Sequence, residues 1–182
     1  MLVLMDMEWV RSYGGVPCPT QLSALRTDGR WRALARFDSL IRPRDRSCRR
    51  WKHMAYSGFR RDDFLNAPSA AAAFMKLARW LRRDDVLCWW SEESARVYEE
   101  ALGHVLRLAP RHRQLVLDRA VAAALPDAPA GHRALAARRG IPVPEPAHCA
   151  ANDAEALRLL LEAVDYDAAA LEEPMRNEGY AE

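Results

Sequence analysis

What this chain has little of already narrows its function. No apolar run approaches the roughly 18 residues that a bilayer-spanning helix needs, so no transmembrane segment and no membrane partner are expected. The N-terminus opens on apolar Met1–Met5 with no basic flank and no small-residue cleavage site, so no signal peptide is expected either. Cysteine is scarce: Cys18, Cys48, Cys88 and Cys149 lie far apart in 182 residues, with no Cys-x-x-Cys pair. That scatter argues against a zinc site or a disulfide framework and reads as reduced thiols of a cytoplasmic protein. Eight glycines and eleven prolines are too few for a collagen-like or low-complexity chain. With 50% hydrophobic and 29% charged residues the chain is not disordered, and its length suits one domain with a sizeable core. There is no internal repeat.

What is present is charge asymmetry beneath a net charge of only +2. Arg42, Arg44, Arg46, Arg49, Arg50 and Lys52 face a single acid, Asp45, with Trp51 embedded among them. Such a segment can hold phosphates and stack on a base. A solvated arginine-rich loop accounts for the same run. From Asp165 onward, six acids stand against Arg176. The expected division is a domain over 1–164 and an acidic tail over 165–182.

Local pattern suggests the order of elements. Leu2–Met5, Gln21–Arg26 and Trp31–Ile41 read as strands, separated by turn signals at Tyr13-Gly14-Gly15 and Thr27-Asp28-Gly29. Over Pro68–Arg83 the apolar residues Ala72, Met75, Leu77, Ala78 and Leu81 recur at helical spacing, and Ser69 can cap the start. Val86–Trp90 reads as a buried strand and Ser91–Arg107 as a helix. Gln114–Leu117 fits a short strand, though its neighbours to Leu125 fit helix equally. Gly131–Arg139 and Asn152–Val164 read as helices, joined by an extended connector at Pro142, Pro144 and Pro146. Strands followed by alternating helices and strands imply an α/β domain with a mixed sheet flanked by helices.

Two clusters can carry chemistry. Asp6 and Glu8 close the first apolar run, and residues two apart on a strand share a face. Two carboxylates projecting together repel each other, which a hard divalent cation such as Mg²⁺ or Mn²⁺ relieves. A strand end reaching solvent, with both acids hydrated, is the plainer alternative. The second cluster is His148-Cys149-Ala150-Ala151-Asn152-Asp153. Asp153 lies in the first turn of the last helix, where the dipole favours negative charge. Asn152 and Glu155 also have the spacing of a capping box, which leaves Asp153 an ordinary first-turn acid and His148 a loop residue.

Taken together, Asp-x-Glu on strand one and His-x-Ala-x-x-Asp opening a late helix resemble the DEDDh family of 3′–5′ exonucleases. Met5-Asp6-Met7-Glu8-Trp9 is similar to the Leu-Asp-Leu-Glu-Trp of a stand-alone bacterial subgroup. Gln21-Leu22-Ser23-Ala24, Leu40-Ile41-Arg42-Pro43, Tyr56-Ser57-Gly58-Phe59 and Ala67-Pro68 resemble landmarks between the two motifs. The likeness spans about residues 2–164. It implies a ribonuclease H-like fold with a five-stranded mixed sheet, and hydrolysis of phosphodiester bonds at single-stranded DNA or RNA 3′ ends. It also implies two Mg²⁺ or Mn²⁺ ions about 4 Å apart. By the resemblance, Asp6, Glu8, Glu93 and Asp153 are metal ligands and His148 is the general base. Trp9 either packs under the terminal base or is a core tryptophan. Arg42, Arg44, Arg46, Arg49, Arg50 and Lys52 form a phosphate rail. One motif departs from the pattern: Trp89-Trp90-Ser91-Glu92-Glu93 stands where the subgroup has Trp-Gly-x-x-Asp. Glu93 then replaces an aspartate, with Ser94 at that place in an alignment one residue later. A degenerate member that binds nucleic acid or a protein without cutting is the alternative function.

Overall fold

In the computed structural model, which describes residues 1–44, 46–49, 54–107, 111–125 and 131–171, the first apolar run extends into a ten-residue strand, β1 (Leu2–Arg11). β2 (Pro17–Thr27) and β3 (Ala33–Leu40) return antiparallel, giving the expected meander. β4 (Val86–Trp89) and β5 (Gln114–Val116) add in parallel on the other side, so the sheet order is β3-β2-β1-β4-β5. Among the described residues the α-helices are α1 (Arg61–Asn66), α2 (Ala70–Trp80), α3 (Glu92–Leu106), α4 (Asp118–Ala124), α5 (His132–Arg138) and α6 (Ala150–Ala163). This is the five-stranded α/β architecture expected. The sequence reading did not foresee α1. Ser69 caps α2 as expected, accepting from the Ala72 N–H at 3.3 Å.

Strand periodicity explains the two cores. Val3, Met5 and Met7 of β1 face one way and pack with Phe74 and Leu77 of α2 and Val97 and Tyr98 of α3. Leu4 faces the other way, into a cluster with Leu25, Trp31, Leu135 and Leu157, Leu160 and Leu161 of α6. Each of these fully buried leucines contributes about 1.5–3 kcal/mol of transfer free energy. Asp6 and Glu8 continue the Leu4 face. On α6, Asp153 continues the stripe Leu157, Leu160, Leu161 at i, i+4, i+7 and i+8. The same packing that buries the leucines therefore aims Asp153 at Asp6 and Glu8.

The strand does not stop at the two acids, as the sequence reading expected; the rim is made by a neighbour. β4 pairs with β1 only from Leu2–Val86 to Met5–Trp89. Beyond that register β1 pairs on the β2 side alone, Asp6 opposite Ser23 and Glu8 opposite Gln21, with a bulge between Glu8 and Trp9. The carboxylates thus stand where a parallel neighbour ends, the usual place for a ligand crevice in open α/β sheets.

Three further readings need correction. Cys18 of β2 and Cys48 are disulfide-bonded, their Cα atoms 5.9 Å apart, because the chain after β3 folds back over the start of β2. Only Cys88 and Cys149 are free, both buried. The cytoplasmic expectation rested on reduced thiols and loses that premise. No capping box forms at Asn152: α6 begins two residues earlier, and the Asn152 Nδ2–H donates to the Pro146 carbonyl at 3.0 Å. The chain also stays docked beyond Val164, where Tyr166 and Ala168 pack on the Leu4 cluster and the Tyr166 carbonyl accepts from the Trp31 indole at 2.6 Å. Among the described residues no helix is long and apolar enough to cross a membrane.

Candidate active site

The residues that converge are Asp6, Glu8, His148 and Asp153. A carboxylate oxygen of Glu8, a ring nitrogen of His148 and a carboxylate oxygen of Asp153 all lie within 4.8 Å of one another. Asp6 sits behind them, its Oδ2 sealed from solvent and without a hydrogen-bond partner. A buried acceptor left without a donor costs about 1–3 kcal/mol.

The electrostatics agree with the geometry. Burial pushes the Asp6 carboxyl well above its ordinary range, and the charges of Glu8 and Asp153 push it further. Glu8 is raised to about 7, first by burial and then by Asp153, with His148 opposing. Burial also raises Asp153, against the pull of the Arg133 guanidinium and His148. Burial and mutual repulsion thus favour the protonated forms of these acids, and a nearby cation would favour the ionised forms.

The His148 segment is held from several sides. His148 itself is exposed, with a left-handed backbone of φ 58°. Its N–H donates to Asp153 Oδ2 at 3.1 Å, and its carbonyl accepts from Gln21 Nε2 at 3.4 Å. The other end of the same amide, Gln21 Oε1, accepts from the Ala150 N–H at 3.1 Å. Gly58 lies against Pro146 so closely that a Cβ there would come within 3.0 Å of its ring, and the glycine has φ 79°. This contact brings Tyr56 beside the site, its ring centroid 6.4 Å from that of His148. A cavity of about 240 Å³ opens here, lined by Glu8, Trp9, Gln21, Met54, Tyr56 and His148. Trp9 is half-buried: it both packs on the Met5 core and faces this cavity.

Glu93 is not brought into the group. It is exposed in the first turn of α3, outside the three-residue cluster and outside the charges acting on Asp6 and Glu8. Ser94 is half-buried, its N–H donating to the capping Ser91 Oγ at 3.2 Å. Trp90, at the position of the subgroup's glycine, packs on His132 with centroids 5.5 Å apart and does not line the cavity.

Along the basic segment, Arg42, Arg44 and Arg46 are exposed and Arg49 is half-buried. Arg44 Nη1 lies 3.0 Å from His104 Nε2. Arg50, Trp51 and Lys52 fall outside the described residues.

Sequence reasoning missed Arg133. Its Nη1 donates to Asp153 Oδ1 at 2.6 Å, and its Nη2 to the Pro144 carbonyl at 2.6 Å and Glu145 Oε1 at 3.0 Å. It sits on a short helix between other arginines, and no motif sets it apart. Gln21 was visible only as a landmark position, and Tyr56 likewise.

No family model matches the chain, and no curated protein matches it in sequence. Solved structures do match. The nuclease domain of 3'hExo, described as a DEDDh family member bound to rAMP, superposes with a TM-score of 0.76 at 13% identity, covering 93% of this chain and 94% of that one. A 3′-exonuclease solved for 3′-end-specific recognition of a histone mRNA stem-loop gives 0.75 at 12%, covering 93% and 83%. E. coli exonuclease I in complex with a dA16 oligonucleotide gives 0.75 at 15%, covering 96% of this chain and 42% of that one. Identities this low carry the architecture and nothing finer: the chain has the fold of the DEDDh 3′ exonucleases.

Proposed function

We propose that this protein is a divalent-metal-dependent 3′–5′ exonuclease acting on single-stranded DNA or RNA ends. The observation that carries the reading is the convergence of Glu8, His148 and Asp153 in front of the partnerless Asp6 Oδ2. The donor set is hard oxygen plus one imidazole, which suits Mg²⁺ or Mn²⁺, so the residues fit the metal that the fold family implies. Asp6, Glu8 and Asp153 would hold it. When bound, such an ion stabilises charge on the scissile phosphate and lowers the pKa of the attacking water.

The chain's own groups supply the rest. His148, at the exposed edge of the cavity, takes the proton of the attacking water, for which an imidazole is suited near neutral pH. Its backbone bonds to Asp153 and Gln21 hold it at that edge. Trp9 and Tyr56 offer aromatic faces in the cavity on which the terminal base can stack, a contact indifferent to sequence. Arg42, Arg44, Arg46 and Arg49, with Arg50 and Lys52, serve as the rail for upstream phosphates. The two-ion scheme of the resemblance also calls on Glu93 as fourth carboxylate, and that requires the first turn of α3 to bring it in.

The exposed position of Glu93 favours a second reading, an exonuclease fold that binds single strands or a protein without cutting. Digestion of 3′-labelled and 5′-labelled oligonucleotides with Mg²⁺, Mn²⁺ or EDTA separates the two. The exonuclease releases label from the 3′ end at once and shortens the 5′-labelled strand stepwise, only with metal, and His148→Ala abolishes this. Binding without any shortening in either metal establishes the second reading.

A further inference from the structure

The Asp153 carboxylate is already engaged by a cation. Arg133 Nη1 is 2.6 Å from Asp153 Oδ1, and the pair is nearly closed to solvent, the side chains 18% and 9% exposed. The other oxygen, Oδ2, accepts the His148 N–H. We propose that this site takes a single divalent ion, and that the Arg133 guanidinium stands as a fixed positive charge in place of a second one. This rests on the divalent-metal reading above and deepens it.

Charge balance is the argument. With His148 neutral, as its role as base requires, the ionised acids Asp6, Glu8 and Asp153 set against the guanidinium leave two net negative charges, which one divalent ion neutralises. Glu145 also touches Arg133, but its side chain is 73% exposed, so water screens it and it weighs little in the count. Glu93 would be the fourth carboxylate that a second ion needs, and it is exposed on α3, outside the cluster. A second ion held by Asp153 would face the like charge of Arg133 at close range in a poorly solvated place, where repulsion is strong. Arginine is suited to the part because its guanidinium stays charged at any working pH and pairs with planar oxyanions. Its two Nη2 hydrogens go to the Pro144 carbonyl and Glu145 Oε1 at 2.6 and 3.0 Å, which ties it to the segment leading to His148.

The test is Mn²⁺ alone, titrated into EDTA-stripped protein and followed by calorimetry and by the paramagnetic resonance signal of free Mn²⁺. The wild-type protein should bind one ion per chain. Arg133→Gln should bind its first ion about tenfold more tightly, since a neighbouring like charge is gone, and should gain a second, weaker site. Arg133→Lys, which keeps the charge, should retain one site near wild-type affinity. Circular dichroism melts establish that both variants fold. If Arg133→Gln does not fold, the wild-type stoichiometry decides alone. Two ions on the wild-type protein overturn the inference and leave the metal reading standing, whereas no binding at all overturns both. Unchanged or weaker binding by Arg133→Gln overturns the role given to Arg133.

Discussion

Replacing Glu8 by Gln should stabilise the metal-free protein at neutral and alkaline pH, although it removes a candidate ligand. Glu8 is raised from 4.5 to about 7, chiefly by burial and next by the charge of Asp153. The folded state therefore holds the Glu8 proton more tightly than the unfolded chain does. Stability from that proton is complete below about pH 4.5 and is lost as pH rises through about 7. At about 1.36 kcal/mol per pKa unit, the loss amounts to about 3 kcal/mol by pH 8. Glutamine has the same shape and no proton to lose, so Glu8→Gln escapes this loss. It also relieves Asp6 of a neighbouring charge, which acts in the same direction. For a chain of this size, about 3 kcal/mol corresponds to a rise in Tm of about 6–12 °C. The assay is thermal or urea denaturation of both proteins in EDTA from pH 4.5 to 8.5. The two curves should lie close together at pH 4.5, diverge between about pH 4.5 and 7, and keep a constant gap above that, with the variant the more stable. Saturating Mn²⁺ should reverse the order, because only the wild type keeps the full ligand set. Curves that run parallel across this range in EDTA would refute the reasoning.

Leu157→Ala should cost about 2–5 kcal/mol in urea denaturation, since Leu157 is 2% exposed in the cluster beneath Asp153 and leaves a cavity there. Reduction of the Cys18–Cys48 bond, which closes a 30-residue separation, should lower stability by about 3–4 kcal/mol, and Cys18→Ser/Cys48→Ser should be insensitive to reductant. Replacing the exposed Arg42 and Arg46 with Ala should weaken single-strand binding for all sequences alike. It should also flatten the log–log salt dependence by roughly 0.7 per lost contact, while an unchanged slope would place the phosphate rail elsewhere.

How much of this could be read without a fold differs from residue to residue. Strand periodicity alone puts Asp6 and Glu8 on one face, and helical periodicity puts Asp153 in line with Leu157 and Leu160. Both are local facts of backbone geometry, so they survive whatever the rest of the chain does. The first four strands and the Ser69 cap were legible for the same reason, while Gln114–Val116 stood at a place where strand and helix were both open. The ends of elements were less so. β1 runs on past its apolar stretch because β2 pairs with it throughout, and α6 starts early because Gln21, remote in sequence, accepts from the Ala150 N–H.

What only the tertiary structure decided is which charges meet. The acids of β1 and the first turn of α6 come together because both continue apolar stripes that must be buried against each other. Arg133 reaches Asp153 only because α5 packs beside α6, and nothing in its own neighbourhood of sequence marks it. Cys18 and Cys48 bond because the chain after β3 crosses back over β2, a consequence of topology and not of spacing. Glu93 carries the right charge at the matching position, yet the capped first turn of α3 leaves it exposed. Periodicity fixes the direction of a side chain relative to its own element. Which ions share a site depends on how elements dock, and that is set by burial of surface over the whole domain.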